Sequence, residues 1–128
     1  MSSSNILIFV ESRYKVNRKR VKATVCRTLE ENNIQSRVEV SLAVVGDRKM
    51  ALLNKKYRNK DGTTNVLSFP LQEGEAAPVP DGDIHLGDIV IAYPQVIRES
   101  ARDDMLVDDK IDELVAHGLL HLLGLHHE

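Results

Sequence analysis

The sequence predicts an α+β fold, a single domain over residues 1–128 with a mixed four-stranded sheet and helices packed on it. Three observations carry this expectation. Stretches rich in branched aliphatics alternate with stretches of helical period, in the order strand, helix, strand, helix, strand, strand, helix, helix. The run from Leu86 to Ala92 is nearly continuous in apolar residues, as a buried strand would be. A chain of 128 residues suits one domain with one core, and no internal repeat or domain boundary divides it.

Asn5 to Val10 reads as a first strand. Val16 to Asn33 reads as a helix, with Val21, Val25 and Leu29 at four-residue spacing and Asn32-Asn33 as its stop. Arg37 to Val45 alternates as a second strand, with Val38, Val40, Leu42 and Val44 on one side. A helix follows to about Tyr57, with Asp47 as its expected cap and Met50, Leu53 and Tyr57 expected to face inward. Lys60-Asp61-Gly62 is a turn, and Asn65 to Phe69 is a short strand stopped by Pro70. Residues 73–83 hold two prolines and two glycines with little apolar content, and read as a mobile loop. After the strand at Leu86 to Ala92, Pro94 fits the first turn of a helix towards Arg102. Asp103-Asp104 breaks the pattern. Asp108 is then the expected cap of a last helix to about Leu123, burying Ile111, Leu114, Val115, Leu119 and Leu122.

Composition narrows the function classes. An apolar share of 42% and a charged share of 28% match a soluble globular protein rather than a disordered or membrane chain. The N-terminal apolar run, Ile6 to Val10, is too short for a signal-peptide core or a membrane span. The lone Cys26 excludes an internal disulfide and fits a reducing compartment, so a cytoplasmic location without membrane contact is expected. The net charge of −2 hides an asymmetry: residues 1–62 carry 14 Lys/Arg against 6 Asp/Glu, and residues 63–128 carry 3 against 13. Basic residues cluster at Arg13, Lys15, Arg18, Lys19, Arg20 and Lys22, and again at Arg48, Lys49, Lys55, Lys56, Arg58 and Lys60. Such patches suit a polyanionic partner, although a solvated helix face is the plainer explanation of a charge run alone. Replacing Lys19 and Arg20 by Glu is the expected test of the first patch.

The chemistry concentrates in the last dozen residues, which hold four of the five histidines. His117 and His121 are four apart and share a helix face. Gly124 suits a helix-ending turn, after which His126 or His127 returns towards the same point. Two imidazoles on a helix and a third beyond a glycine turn make three legs of a tetrahedral metal site with one position open. Zinc is the expected ion, one per chain, while nickel, copper and iron also accept imidazole. The spacing H-x-x-x-H-x-x-G-x-x-H also matches metzincin-type peptidases, whose general base is a glutamate directly after the first histidine. Here that residue is Gly118, which cannot take a proton from water, so peptide hydrolysis by that route lacks its base.

Three ordered stretches resemble the YbeY family of metal-dependent endoribonucleases, which act in ribosomal RNA maturation and ribosome quality control. They are Leu53 to Asp61 followed by Thr64 to Pro70, then Leu86-Gly87-Asp88-Ile89, then the histidine stretch, close to the pattern H-G-x-L-H-L-x-G-x-D-H. The resemblance implies a zincin-like fold, His117, His121 and His127 as metal ligands, and Arg58 as a functional arginine near the metal. It also implies ribosomal RNA and the small ribosomal subunit as partners, together with proteins of ribosome assembly. The family's aspartate before the third ligand is His126 here. Three neutral imidazoles leave an ion its positive charge, able to polarise a phosphoryl oxygen and activate water. Arg58 offers a planar donor fork suited to a phosphate; its plain alternative is a helix-end surface ion pair. Asp88 is either an acceptor for a ligand imidazole or a turn cap after Gly87, and Ser68 lines the cleft or bonds to backbone. His85 reads as a surface histidine.

The expected function is thus a metal-dependent endoribonuclease acting on ribosomal RNA precursors, with catalysis assigned to Arg58, His117 and His121. Two alternatives stand beside it: a ribosome-associated RNA-binding assembly factor with a mainly structural metal, and a metallohydrolase of another substrate class. A closed four-ligand site would favour the structural role, and three histidines with an open position favour catalysis. Five aromatic residues, Phe9, Tyr14, Tyr57, Phe69 and Tyr93, are too few to indicate sequence-specific base readout.

Overall fold

A computed structural model of the chain describes residues 4–71, 77–78 and 84–125. Strand β1 (Asn5–Val10) lies parallel to β2 (Val38–Val45), as the intervening helix α1 (Arg18–Glu31) requires of a crossover. After helix α2 (Asp47–Arg58) comes β3 (Val66–Pro70), then the two-residue β4 (Ala77–Pro78) and the long β5 (Ile84–Ala92). β5 runs parallel to β2 on one side and antiparallel to β3 and β4 on the other. The main order is β1-β2-β5-β3, so the expected mixed four-stranded sheet is present, with β4 as a short addition along β5. Helices α3 (Tyr93–Arg102) and α4 (Val107–Leu122) complete the α+β domain.

The sheet separates two apolar clusters. On one face Val40, Leu42, Ile89 and Ile91 meet Val21, Val25 and Leu29 of α1, Val96 of α3 and the stripe Ile111, Leu114, Val115, Leu119 and Leu122 of α4. Each is at most 8% exposed, so this is the principal core. On the other face Val45, Leu67, Val90 and Ala92 pack with Met50 of α2, joined by half-buried Leu53 and Phe69. The strand alternation read from the sequence therefore holds, but α2 covers the opposite face from α1 and α4.

A bulge at Leu86 adjusts β5. Glu39 pairs with His85 and Val40 with Gly87, leaving Leu86 without a partner across β2. Gly87 has φ of +132°, and a Cβ there would lie 2.2 Å from the Phe69 carbonyl oxygen, so only glycine lets β3 approach.

Several local expectations are corrected. Gly46, not Asp47, is the N-cap of α2, and it has no side-chain capping bond. Asp47 is spent elsewhere: it accepts from Thr63 at 3.0 Å, Gln95 at 3.1 Å and Arg98 at 3.0 Å, joining α2 to α3 and to the approach to β3. Leu106, not Asp108, is the N-cap of α4. Asp108 and Asp109 stand in its first turn, where negative charge suits the helix dipole. Tyr57 is not inward but 55% exposed; the buried positions of α2 are Met50 and Asn54, the latter donating to the Gly62 carbonyl. Pro70 belongs to β3 rather than stopping it, as an outer strand permits. Ala77 and Pro78 of the presumed loop pair with β5; the rest of that loop reading lies outside the described residues.

Burial opposes ionisation of Asp47, but the hydrogen bonds from Gln95, Arg98 and Thr63 outweigh it and lower its pKa. A folded-state pKa below the unfolded value of about 4 gives stability that is present above that value and lost as pH falls through the folded one. Asp47→Asn should therefore be less stable than wild type near neutral pH and should lose less on acidification to about pH 3. Urea denaturation midpoints at the two pH values measure this.

Candidate functional site

Helix α4 buries Ile111, Leu114, Val115, Gly118, Leu119 and Leu122 and turns His117 and His121 outward. The two imidazoles are neighbours, with ring centroids 4.6 Å apart and planes at 62°. Rings that neighbour each other on consecutive helix turns are an arrangement from which two imidazoles can share one tetrahedral ion. Both residues are exposed among the described residues.

The helix ends as Gly124 suggested. Its φ is +78°, its N–H donates to the His121 carbonyl at 3.0 Å, and Leu125 N–H donates to the Leu120 carbonyl at 2.8 Å. This pair of bonds is a Schellman closure, which turns the chain out of the helix axis. His126 and His127, the alternatives for a third ligand, lie outside the described residues. Among the described residues no group of three or more His, Cys, Asp or Glu assembles into a metal cage.

Arg58 is the last residue of α2, followed by Asn59 in the left-handed conformation, which asparagine tolerates. Its side chain is exposed and, among the described residues, has no hydrogen bond or ion pair, unlike the surface pair that was its plain alternative. Strand β3 stands between Arg58 and the histidines. The Ser68 hydroxyl donates to the Gly118 carbonyl of α4 at 3.3 Å. On the other side the Phe69 ring meets Tyr57, next to Arg58, edge-on at 5.1 Å between centroids. Ser68 thus bonds to backbone. The structure brings His117 and His121 together on α4, and on the opposite face it sets Tyr57, the residue before Arg58, against the same strand.

Asp88 does neither thing expected of it. It lies on β5 on the side away from α4, accepts from the Ser41 hydroxyl, and lines an open groove of about 440 Å³ with Ala43, Lys49, Leu53, Tyr57 and Phe69. No periodic signal in the sequence marked this groove, because a strand's facing depends on the bulge at Leu86. His85 is half-buried beside Glu39 at 3.5 Å across β2 and β5, in keeping with a surface role.

The two basic runs prove unequal. Arg20 donates to Asp112 at 2.7 Å and to Asp109, and lies 4.0 Å from Asp108. It is therefore bound to α4 rather than offered to a phosphate. On α2, Arg48, Lys49, Lys55, Lys56 and Arg58 are all exposed; among the described residues Lys55 alone of these has an ion-pair partner, Asp61 at 3.3 Å.

Fold and site together define a class: single α+β domains with a mixed sheet and a helix-borne histidine pair beside its outer strand. A family model described as Endoribonuclease YbeY matches residues 8–128, and the chain belongs to that family. The endoribonuclease YbeY of Bartonella quintana (strain Toulouse) is 38% identical over 118 residues, 90% of this chain and 70% of its own length. That of Syntrophus aciditrophicus (strain SB) is 36% identical, covering 92% of this chain and 72% of its own. That of Anaeromyxobacter sp. (strain Fw109-5) is 44% identical over 90 residues, only 44% of its length. The solution structure of TM1509 from Thermotoga maritima superposes with a TM-score of 0.60 at 28% identity, covering 96% of this chain and 75% of that one. The resemblance read from three motifs is borne out, and so is the fold class.

Substituting His117 or His121 by Ala should abolish tight binding of a divalent ion. Elemental analysis of protein purified without a histidine tag is the check, with retention of stoichiometric metal in both variants contradicting the assignment.

Proposed function

We propose that this chain is a metal-dependent endoribonuclease that hydrolyses phosphodiester bonds in ribosomal RNA precursors. The observation that carries the reading is the exposed imidazole pair on α4, 4.6 Å apart, in a chain of the endoribonuclease YbeY family. His117 and His121, with His127 beyond the Gly124 turn, would hold one zinc ion per chain. A divalent ion held there supplies Lewis acidity towards a phosphoryl oxygen and towards water. Arg58 meets the phosphate with two parallel N–H donors and stabilises the charge that develops on its oxygens. Exposed Lys49, Lys56 and Arg48 extend that positive surface along α2, giving the RNA backbone a track that leads to Arg58.

The alternative with a mainly structural metal is less well supported, since structural zinc sites are closed and both helix histidines here are exposed. The peptidase reading loses further ground, since a side chain at position 118 would be directed at Ile89 and Ser68 in the sheet. Association with the small ribosomal subunit and with assembly proteins, and a cytoplasmic location, complete the proposal. In their support, no described helix is long and apolar enough to cross a membrane, and the chain has one cysteine, Cys26.

Two measurements test it. Wild type should cleave precursor ribosomal RNA, lose activity on metal removal and regain it when zinc is restored, while His117→Ala stays inactive throughout; activity that follows neither metal nor histidine would belong to a contaminant. Reversing Lys49 and Lys56 to Glu should weaken RNA binding and reduce the salt slope by about 2, with a smaller change for Lys19→Glu. Equal effects from α1 and α2 variants would move the RNA track away from α2.

A further inference from the structure

We propose that β3 is the spacer that sets the histidine pair against Arg58, and that Ser68, Gly118 and Phe69 are the positioning residues that fix it on either side. The inference rests on the reading of His117 and His121 as metal ligands.

On the α4 side, Gly118 lies between the two histidines and faces the sheet. A Cβ built there would come within 2.9 Å of Ile89 Cγ2, 3.2 Å of Ser68 Oγ and 3.3 Å of Ile89 Cγ1. Glycine is a poor helix former, and this one stands in the interior of α4 with no positive φ to justify it. Its use is the close approach. With no side chain in the way, the helix sits low enough for the Ser68 hydroxyl to reach the Gly118 carbonyl at 3.3 Å. On the α2 side, the next residue of β3 performs the corresponding task. The edge of Phe69 against Tyr57, 5.1 Å between centroids, seats the last turn of α2, which ends in Arg58. Adjacent strand residues point to opposite faces, so one dipeptide touches both carriers.

His117 and His121 both belong to α4. Raising α4 moves the pair as a unit and leaves its mutual geometry intact. What changes is its position relative to Arg58. Relieving a 2.9 Å contact to the ordinary range of 3.4–4 Å requires a shift of at least about 0.5 Å, the tolerance of a reacting constellation. Misplacement by about 1 Å costs about 100-fold in rate. The signature of the spacer is therefore loss of turnover without loss of metal or RNA.

Gly118→Ala should bind zinc alone, in chelator competition, as tightly as wild type, and should bind RNA unchanged, while kcat falls by about 10- to 100-fold. Adding Ile89→Ala removes both carbon atoms that the new methyl meets and should restore most of kcat. Phe69→Leu should show the same split between kcat and affinity, together with shifted Tyr57 ring resonances in NMR spectra. Should Gly118→Ala fail to fold, Ser68→Ala carries the test, and a wild-type kcat in that folded variant overturns the proposal. So does a wild-type kcat in Gly118→Ala or Phe69→Leu, or a fall in zinc affinity proportional to the fall in kcat. Zinc binding that survives in His117→Ala would instead remove the metal reading itself, a failure distinct from that of the spacer.

Discussion

The structure depends on how α4 lies on the sheet. Six residues of this helix, from Ile111 to Leu122 at helical spacing, are buried against β3, β5, α1 and α3. Burying large aliphatic side chains is worth about 1.5–3 kcal/mol each, so this stripe is a main source of cohesion as well as the mount for the histidines. The same periodicity that drives Leu114, Gly118 and Leu122 inward leaves positions 117 and 121 outward on consecutive turns. Stability and chemistry are two faces of one helix, and neither can be rotated without the other.

Charge reinforces that mount and, in doing so, sorts the basic residues. The acidic first turns of α4 draw Arg20 out of the N-terminal basic run, tying α1 to α4 at the partly exposed rim of their contact. Lys110, only 4% exposed, is held by Glu113 at 2.7 Å and Asp103 at 3.1 Å, and these partners, Glu113 foremost, raise its pKa. Among the described residues, the cations of α2 have no comparable acidic helix opposite them. The charge asymmetry of the sequence is thus partly an internal matter between α1 and α4, while exposed cations remain both on α1, at Lys19 and Lys22, and on α2 up to Arg58.

Much of this was legible before any coordinates. Apolar periodicity marks α1, α2, α4 and β2, because burial of one face imposes a 3.6-residue or 2-residue repeat, while branched aliphatics mark β1, a continuous apolar run marks β5 and Pro94 marks the start of α3. Gly124 was legible as a helix stop because few residues other than glycine accept positive φ without strain. Caps were misread at Asp47 and Asp108 because an aspartate near a helix start also serves a partner distant in sequence, Arg98 for one and Arg20 for the other. Tyr57 departs from the inward expectation because α2 packs through Met50 and Leu53, while the Tyr57 ring at its last turn borders an open groove and meets Phe69 edge-on. Asp88 was misjudged because its facing is decided by the β3–β5 register and the bulge at Leu86, and neither follows from local composition.

That register is the last link. Pro70 pairs opposite Gly87, where no side chain larger than hydrogen leaves room for the Phe69 carbonyl. A one-residue slip of β3 would bring that carbonyl against another residue of β5 and would also exchange the faces of every β3 side chain. The Ser68 hydroxyl would then leave the Gly118 carbonyl, and the Phe69 ring would leave Tyr57 for the crowded space beneath α4. Gly87 therefore acts on the histidine site through β3, by permitting one alignment of a strand that, among the described residues, has β5 as its one neighbour.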